Sequence, residues 1–520
     1  MRVLFRALGV LGAMMLVLGV LVYVRLGMSG PQLQSAEPTI ALTEISCDDA
    51  FRGARCGTVA APLDYQDPTG DTIEVGFIYY SPVGFGADRR TAVQIVGGGP
   101  GLPISSEIKS APVWVGQLAL YNRGILAIDT RGVGMSTRLE CDAFQSSVYA
   151  FDTGAIALCA DQLGRDRIHY STVNTARDFD RVRQALGIEQ LDILAFSYGA
   201  TLSAVYAAMY PDRVRTLTLD GVDPVTSYGD FMPTLYNAFR RQIRQFCDRS
   251  NECDPDDALD ALDWAAEELR KAPRPLSLPE NGELVYPQSA ILDGAMLASL
   301  ARDVPLRSQP PVAFRLPVLG AVLEARATGN WSSLEQVAIE SLGFPSALVN
   351  TRTVNLAVTC PEERPLWTPS ADIATRRAEL LEAARNVPVG SFAPFTGEEW
   401  VMAPGSQMNH LECINWPAAP ADRPTELKHE VGAWRSDMPV LILNGDFDMQ
   451  TPHEDAKLAA AQFERVQYAR LRNAGHAVLP SNTCAMGLWL EFVNNKSVAD
   501  PDKCLNAHPI AVSIYANDVE

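Results

Sequence analysis

The chain of 520 residues lacks a basic excess: 43 Lys and Arg stand against 62 Asp and Glu, a net charge of −19. A nucleic-acid partner needs a cationic face, so that class is excluded. The acidic residues are spread along the chain, and the charge is silent about the reaction. Histidine is scarce, with six in the whole sequence. No Cys-x-x-Cys occurs, and His and Cys do not cluster at zinc-ligand spacing, so neither a metal nor a cofactor is expected. The glycine-rich stretch at 97–101 has no Lys-Ser/Thr after it, and no G-x-G-x-x-G fingerprint opens a helix, which excludes a phosphate loop. There is no internal repeat and no low-complexity tract.

Apolar residues make up 47%, as in a globular protein, and the length implies one large domain with an insertion, or two domains. Arg2 and Arg6 precede an uncharged apolar run from Ala7 to Val24, which Arg25 ends. Eighteen residues is short for a membrane span and long for a signal-peptide core. Gln34-Ser35-Ala36 is a poor cleavage site. The segment reads as an uncleaved signal anchor, basic end cytoplasmic and body exported to the periplasm or beyond, with a cleaved signal peptide as the alternative. Residues 1–36 therefore stand outside the fold.

Ten cysteines in an exported chain imply disulfides, each closure contributing roughly 2–4 kcal/mol. Sequence neighbours pair as 47–56, 141–159, 247–253 and 484–504, leaving 360–413, although ten cysteines allow many connectivities.

Along the chain, Gly57–Tyr65 and Ile73–Tyr80 read as a hairpin, and Ala92–Val96 and Gly124–Asp129 as buried strands. Apolar spacing over 174–187 predicts a helix ended by Gly187. Strand Leu191–Phe196 runs into Ser197 and a helix to Tyr210, and Val214–Leu219 is another strand. Short apolar strands alternating with helices predict a mostly parallel α/β sheet, with functional residues at the strands' C-terminal ends. From 225 to 435 helical periodicity dominates (235–246, 258–272, 289–301, 373–384), broken by proline-rich loops at 273–279 and 305–317. That is expected to be a helical cap inserted before the last strands, 439–443 and near 466–471, and a final helix at 485–495. The expected division is 1–36, then core 37–224, cap 225–435 and core 436–520.

Phe196-Ser197-Tyr198-Gly199 places a serine at a strand-to-helix apex, close to the nucleophile elbow G-x-S-x-G, with Ala195 and Gly199 as the small flanking residues. Beyond strand 439–443 comes Asn444-Gly-Asp446-Phe-Asp448, and beyond 466–471 comes Gly475-His476. Serine, acid, histidine is the chain order of an α/β-hydrolase triad. A serine hydroxyl needs a base, His476, and the base needs a carboxylate to hold its tautomer. Asp446 and Asp448 compete for that place, and Asp448, further into the turn and just before Thr451-Pro452, is preferred. Backbone N–H groups of Gly98 and Gly99, with that of Tyr198, are the expected oxyanion hole.

Together these residues resemble the α/β-hydrolase serine peptidases of the prolyl aminopeptidase and tripeptidyl aminopeptidase group. Gly97-Gly-Gly-Pro-Gly101 is similar to that group's His-Gly-Gly-Pro-Gly, with Gly97 in place of histidine. Asp129-Thr-Arg-Gly-Val-Gly-Met-Ser136, the Ser-Tyr-Gly elbow and Gly445-Asp-Phe-Asp448 with Thr451-Pro452 also look like its signatures. The exported, cysteine-paired body and long cap resemble the tripeptidyl branch, from about residue 45 to 505. The resemblance implies release of amino acids or short peptides from a free N-terminus. It also implies cap carboxylates near the substrate ammonium, for which Glu362 and Glu363 are the candidates, a solvated charged turn being the plainer alternative.

Two other readings stand beside the exopeptidase. An esterase or lipase would use the same triad, since the site rather than the fold decides the substrate. A non-catalytic exported binding protein on this fold is the third. The expected partner is a short peptide, with membrane contact only through the N-terminal segment. Oligomeric state is not legible.

Overall fold

The computed structural model describes residues 40–82, 88–110, 123–146, 153–225, 233–279, 284–285, 290–303, 313–345, 349–363, 365–404, 410–420, 437–479, 482–505 and 511–513. The expected anchor lies outside the described residues, none of whose helices is long and apolar enough to cross a membrane. The fold is that of the unit Leu42–Glu520.

Its frame is a sheet of nine described strands: β1 (Leu42–Ile45), β2 (Arg55–Pro62), β3 (Thr72–Tyr80), β4 (Asp88–Val96), β5 (Arg123–Ile128), β6 (Gln190–Phe196), β7 (Val214–Asp220), β8 (Val440–Gly445) and β9 (Val466–Leu471). Their spatial order is β1-β2-β3-β5-β4-β6-β7-β8-β9. The strands β1, β2 and β3 run antiparallel at one edge. From β5 onward every pairing is parallel. Parallel strands are covered on both faces, so β6 and β8 are mostly apolar runs, and β7, although Thr216 and Thr218 alternate with its leucines, is buried at every position but Arg215.

The described helices are α1 (Ile104–Ser110), α2 (Asp142–Ser146), α3 (Thr153–Leu163), α4 (Thr172–Ala185), α5 (Tyr198–Met209), α6 (Pro233–Ser250), α7 (Pro255–Lys271), α8 (Gly294–Asp303), α9 (Pro317–Thr328), α10 (Ser332–Leu342), α11 (Val349–Glu362), α12 (Ile373–Arg385), α13 (Gly397–Met402), α14 (His410–Cys413), α15 (His453–Ala460) and α16 (Thr483–Asn495). Helices α6 to α14 lie between β7 and β8. Of the proline-rich stretch 305–317, expected to be loop, 305–312 lie outside the described residues, Ala313–Arg315 pairs in parallel with Ala511–Ser513, and Pro317 is already the first residue of α9, where its missing N–H costs nothing. Ile291–Leu292, expected inside a helix, pairs instead with Arg274–Pro275, and α8 starts at Gly294.

Three apolar cores stand among the described residues, two of which bear on the site. One lies on the sheet under α1 and α16, with Ile95, Leu194, Leu443, Leu488 and Trp489. The other is the interior of the inserted helices, with Phe239, Phe246, Leu262, Leu297 and Trp400, and it takes in Phe447 and Met449 from the loop after β8. All ten cysteines are paired, as 47–56, 141–159, 247–253, 360–413 and 484–504. Such pairing belongs to an oxidising, extracytoplasmic compartment. The bridge Cys360–Cys413 ties the end of α11 to α14.

The Asp129–Ser136 turn after β5 is a structural knot. Asp129 accepts from the N–H (3.0 Å) and Oγ (2.7 Å) of Ser105 and from the Met135 N–H (2.8 Å). The Ser136 hydroxyl donates to the Asp129 carbonyl and accepts the Gly76 N–H of β3. Arg131 is buried, forked onto Asp178 of α4 at 2.7 Å for both bonds, and it also donates to the carbonyls of Leu63 and His169. Breaking a buried ion pair leaves one charge uncompensated, at about 3–5 kcal/mol. Arg131→Ala is therefore expected to lower the denaturant midpoint sharply with an unchanged slope. The paired replacement Arg131→Met with Asp178→Leu is expected to recover much of the loss in the same measurement.

Candidate active site

Ser197 sits between the end of β6 and the start of α5 with φ 55° and ψ −131°, a conformation costing about 1–3 kcal/mol for a residue with a side chain. The surroundings hold it there. Its N–H donates to the Asp220 carbonyl at 3.0 Å, and its carbonyl accepts the Ala200 N–H at 2.8 Å. Gly199 has to be glycine: a Cβ there would come 2.2 Å from the Gly97 carbonyl oxygen. The hydroxyl of Ser197 makes no hydrogen bond among the described residues.

The loop after β8 separates the two competing carboxylates. Asp446 turns to α6, accepting from Arg249 at 2.7 Å and from the Asn473 N–H at 2.8 Å. Asp448 is fully buried, and four donors converge on it. The N–H groups of Gln450 and Thr451 reach Oδ1 at 2.9 Å, while Thr451 Oγ1 (2.8 Å) and His476 Nδ1 (2.9 Å) reach Oδ2. The other ring nitrogen of His476, Nε2, is buried with no partner among the described residues. Burial pulls the pKa of His476 down, but the charge and hydrogen bond of Asp448 outweigh it, and Asp220 and Asp223 push the same way, so the net shift is upward.

Serine and histidine are both tied to the end of β7. Asp220, which holds the Ser197 N–H by its carbonyl, uses its carboxylate to accept the N–H groups of Val478 (3.0 Å) and Leu479 (2.8 Å), just past His476. A Cβ on the next residue, Gly221, would lie 3.0 Å from His476 Cε1 and Nδ1. Ser197, Asp220, Asp448 and His476 thus occupy the C-terminal ends of four neighbouring parallel strands. Burial pushes the Asp220 carboxyl up to about 7 against the pull of its two N–H donors.

The oxyanion loop departs from expectation at Gly98. Its N–H is taken by the carboxyl of Glu107 in the first turn of α1. Gly98 nonetheless lies against the serine, since a Cβ there would be 3.0 Å from Ser197 Cβ. The N–H groups of Gly99 and Tyr198 carry no hydrogen bond among the described residues, which leaves those two as the available donors.

Glu362 also departs from expectation. It is only 1% exposed, and its oxygens accept the N–H and Oγ1 of Thr172, both at 2.7 Å, at the start of α4. Thr172 Oγ1 in turn meets the Tyr198 hydroxyl at 2.8 Å. Glu362 is therefore bound up inside the protein, linked through Thr172 by two hydrogen bonds to the residue after Ser197, rather than open to a substrate ammonium. Its charge, with burial as the larger cause, pushes the Tyr198 pKa far up. Glu363, the last residue of that pair, is half-buried.

No motif marks the helix that carries the acid loop. Along one face of α6, Arg241 donates to the Asp446 carbonyl and Gln242 to the Asp448 carbonyl, each at 2.9 Å. Phe246 stacks on Phe447 at 4.2 Å, and the Arg249 guanidinium lies 4.9 Å over that ring. The spacing i, i+1, i+5, i+8 marks one helical face but does not name what the face touches.

Known proteins resemble this chain in the same regions. The family model described as alpha/beta hydrolase fold matches residues 91–255, and the one described as TAP-like protein matches 401–504. The first spans Ser197, and the second spans Asp448 and His476. The chain is similar to "Serine protease Hip1" of Mycobacterium tuberculosis, 25% identical over 451 residues, 77% of this chain and 78% of that protein. It is similar to "Tripeptidyl aminopeptidase" of Streptomyces coelicolor, 32% identical over 191 residues, 32% of this chain and 35% of that protein. It is similar to "Carboxylesterase B" of Mycobacterium tuberculosis, 33% identical over 228 residues, 39% of this chain and 43% of that protein. The mostly parallel sheet, the serine at its elbow and the two matching family models agree: the chain has an α/β-hydrolase fold, and its C-terminal part is similar to TAP-like proteins.

Proposed function

We propose that the chain is an exported serine peptidase that releases amino acids or short peptides from a free N-terminus. The observation that carries the reading is the pair His476–Asp448, its outer nitrogen Nε2 unpaired, beside a serine held in a strained elbow. Relatives named serine protease and tripeptidyl aminopeptidase support the peptidase side of it. The five disulfides support export, with residues 7–24 as the proposed anchor.

In this reading Ser197 Oγ attacks the scissile carbonyl while His476 Nε2 takes its proton. The tetrahedral oxyanion is received by the N–H groups of Gly99 and Tyr198. His476 then returns the proton to the leaving amine, and an acyl-enzyme ester on Ser197 remains. Water, deprotonated by the same nitrogen, adds to that ester, and its collapse frees the acid and restores the serine. Asp448 keeps the Nδ1 proton in place and stabilises the imidazolium. With Glu362 engaged by Thr172, we assign the substrate ammonium to Glu363. Ester hydrolysis follows the same steps, and the relative named Carboxylesterase B favours it as the second reading.

A panel of tripeptidyl and aminoacyl chromogenic amides, their N-acetylated twins and a short nitrophenyl ester separates the two. The peptidase reading expects the full-length protein to cut free-amine amides and not the acetylated ones, and Glu363→Gln to raise KM about tenfold or more for the former only. Cleavage of the ester alone sinks the peptidase reading.

The pH profile tests the base. Catalysis needs neutral His476, so kcat/KM rises with pH, and its midpoint is expected above the ordinary 6.5 because Asp448 favours the protonated ring. In Asp448→Asn that midpoint moves to lower pH, and kcat falls by about 10⁴ through loss of the correct tautomer. An unmoved midpoint would assign the limb to another group.

A further inference from the structure

The glycine run Gly97-Gly98-Gly99 has no side chains of its own to fix it, and glycine is the residue most costly to order. An oxyanion hole works only if its donors are already aimed. Something outside the loop has to hold it, and one group is placed to do so. The carboxyl of Glu107 accepts the Gly98 N–H. It also fills the space in front of Gly97, where a Cβ would come 2.9 Å from Oε1 and 3.0 Å from Oε2. On its other side the loop lies against the nucleophile, a Cβ on Gly98 meeting Ser197 Cβ at 3.0 Å. The peptide is thus clasped between Glu107 and Ser197.

Glu107 is itself fixed. It stands in the first turn of α1, whose start is held by Asp129 through the Ser105 N–H and hydroxyl. The knot after β5 therefore reaches the oxyanion loop through α1.

We infer that Glu107 is a positioning residue of the oxyanion loop: by holding the Gly98 N–H and occupying the space before Gly97 it aims the Gly99 N–H at the carbonyl under attack. The inference rests on the serine-hydrolase reading above. It also accounts for a glycine at 97: any side chain there would meet the Glu107 carboxyl. Burial, with Asp129 as the facing acidic group, pushes Glu107 up to about 7. Both protonation states keep an acceptor oxygen for Gly98, and the neutral state puts no charge beside the developing oxyanion.

The test is steady-state kinetics of the full chain on the best substrate of the panel, for Glu107→Ala, Glu107→Gln, Gly97→Ala and the double Gly97→Ala/Glu107→Ala. Fluorophosphonate labelling of Ser197 in the wild type runs alongside. Loss of a whole oxyanion donor costs about 10²–10³ in kcat, so a donor merely left loose is expected to cost roughly ten- to a hundredfold, with KM within about twofold. Glu107→Gln keeps an acceptor for Gly98 and is expected to stay within about threefold of wild type. Gly97→Ala, which pushes the carboxyl aside, lowers kcat in the wild-type background and much less in Glu107→Ala, because the obstructing group is gone. Wild-type kcat in Glu107→Ala, or strictly multiplicative effects of the two alanines, overturns the inference while labelled Ser197 leaves the hydrolase reading standing. An equal loss in Glu107→Ala and Glu107→Gln tracked by an equal fall in Tm also overturns it, as a purely structural role. Absence of labelling in a folded wild type removes the hydrolase reading and this inference with it.

Discussion

Asp220 is the residue on which the site's geometry turns. It ends β7, the strand between the serine's strand and the acid's. Its carbonyl holds the Ser197 N–H, and its carboxylate holds the two N–H groups after His476. Ser197 and His476, the proposed nucleophile and base, are thereby referred to one residue in the middle of the sheet. Gly221, at φ +71°, adds no side chain, and the imidazole lies in the space a Cβ would crowd. A carboxylate left in this interior without those donors would be costly, and so would the donors without it, about 1–3 kcal/mol for each orphaned group.

The same device recurs along the C-terminal edge. Asp129 fixes the start of α1, Asp446 the Asn473 turn, Asp448 its own loop and the histidine, and Glu362 the first turn of α4 beside Tyr198. Each is a shielded acidic group whose acceptor oxygens are taken up by backbone N–H groups of nearby loops and helix starts. Loops rich in glycine do not hold a catalytic geometry by packing, so hydrogen bonds to fixed carboxyls supply the order. The inserted helices add a second fastening, since Phe447 and Met449 belong to their apolar core and α6 grips the carbonyls on either side. The acid loop is thus held from the sheet below and from the inserted helices alongside.

Much of this arrangement is legible in the amino-acid sequence alone. Apolar runs bounded by glycine and charge locate the strands of the parallel sheet, because buried strands need no alternation. The elbow is legible because its steric demand at Gly199 is local. The short loops between neighbouring cysteines match the observed bridges, and the long pair 360–413 follows as the remainder. What does not read from the sequence depends on partners far along the chain. Asp446 and Asp448 differ only in what they face, Arg249 or His476. Glu362 reads as part of an open acidic turn, because the α4 threonine that engages it lies 190 residues away. Gly98 reads as a free donor because Glu107, nine residues on, carries no motif.

In the proposed mechanism, bond cleavage through an ester on Ser197 is the step that every assigned role serves. Rapid quenching during turnover of a nitrophenyl ester or a free-amine amide, followed by peptide mapping in a mass spectrometer, detects that ester directly. One acyl group per chain is expected, on Ser197, with no turnover in Ser197→Ala. Turnover retained in that variant, or an acyl group on another residue, would refute the assignment of Ser197 as nucleophile.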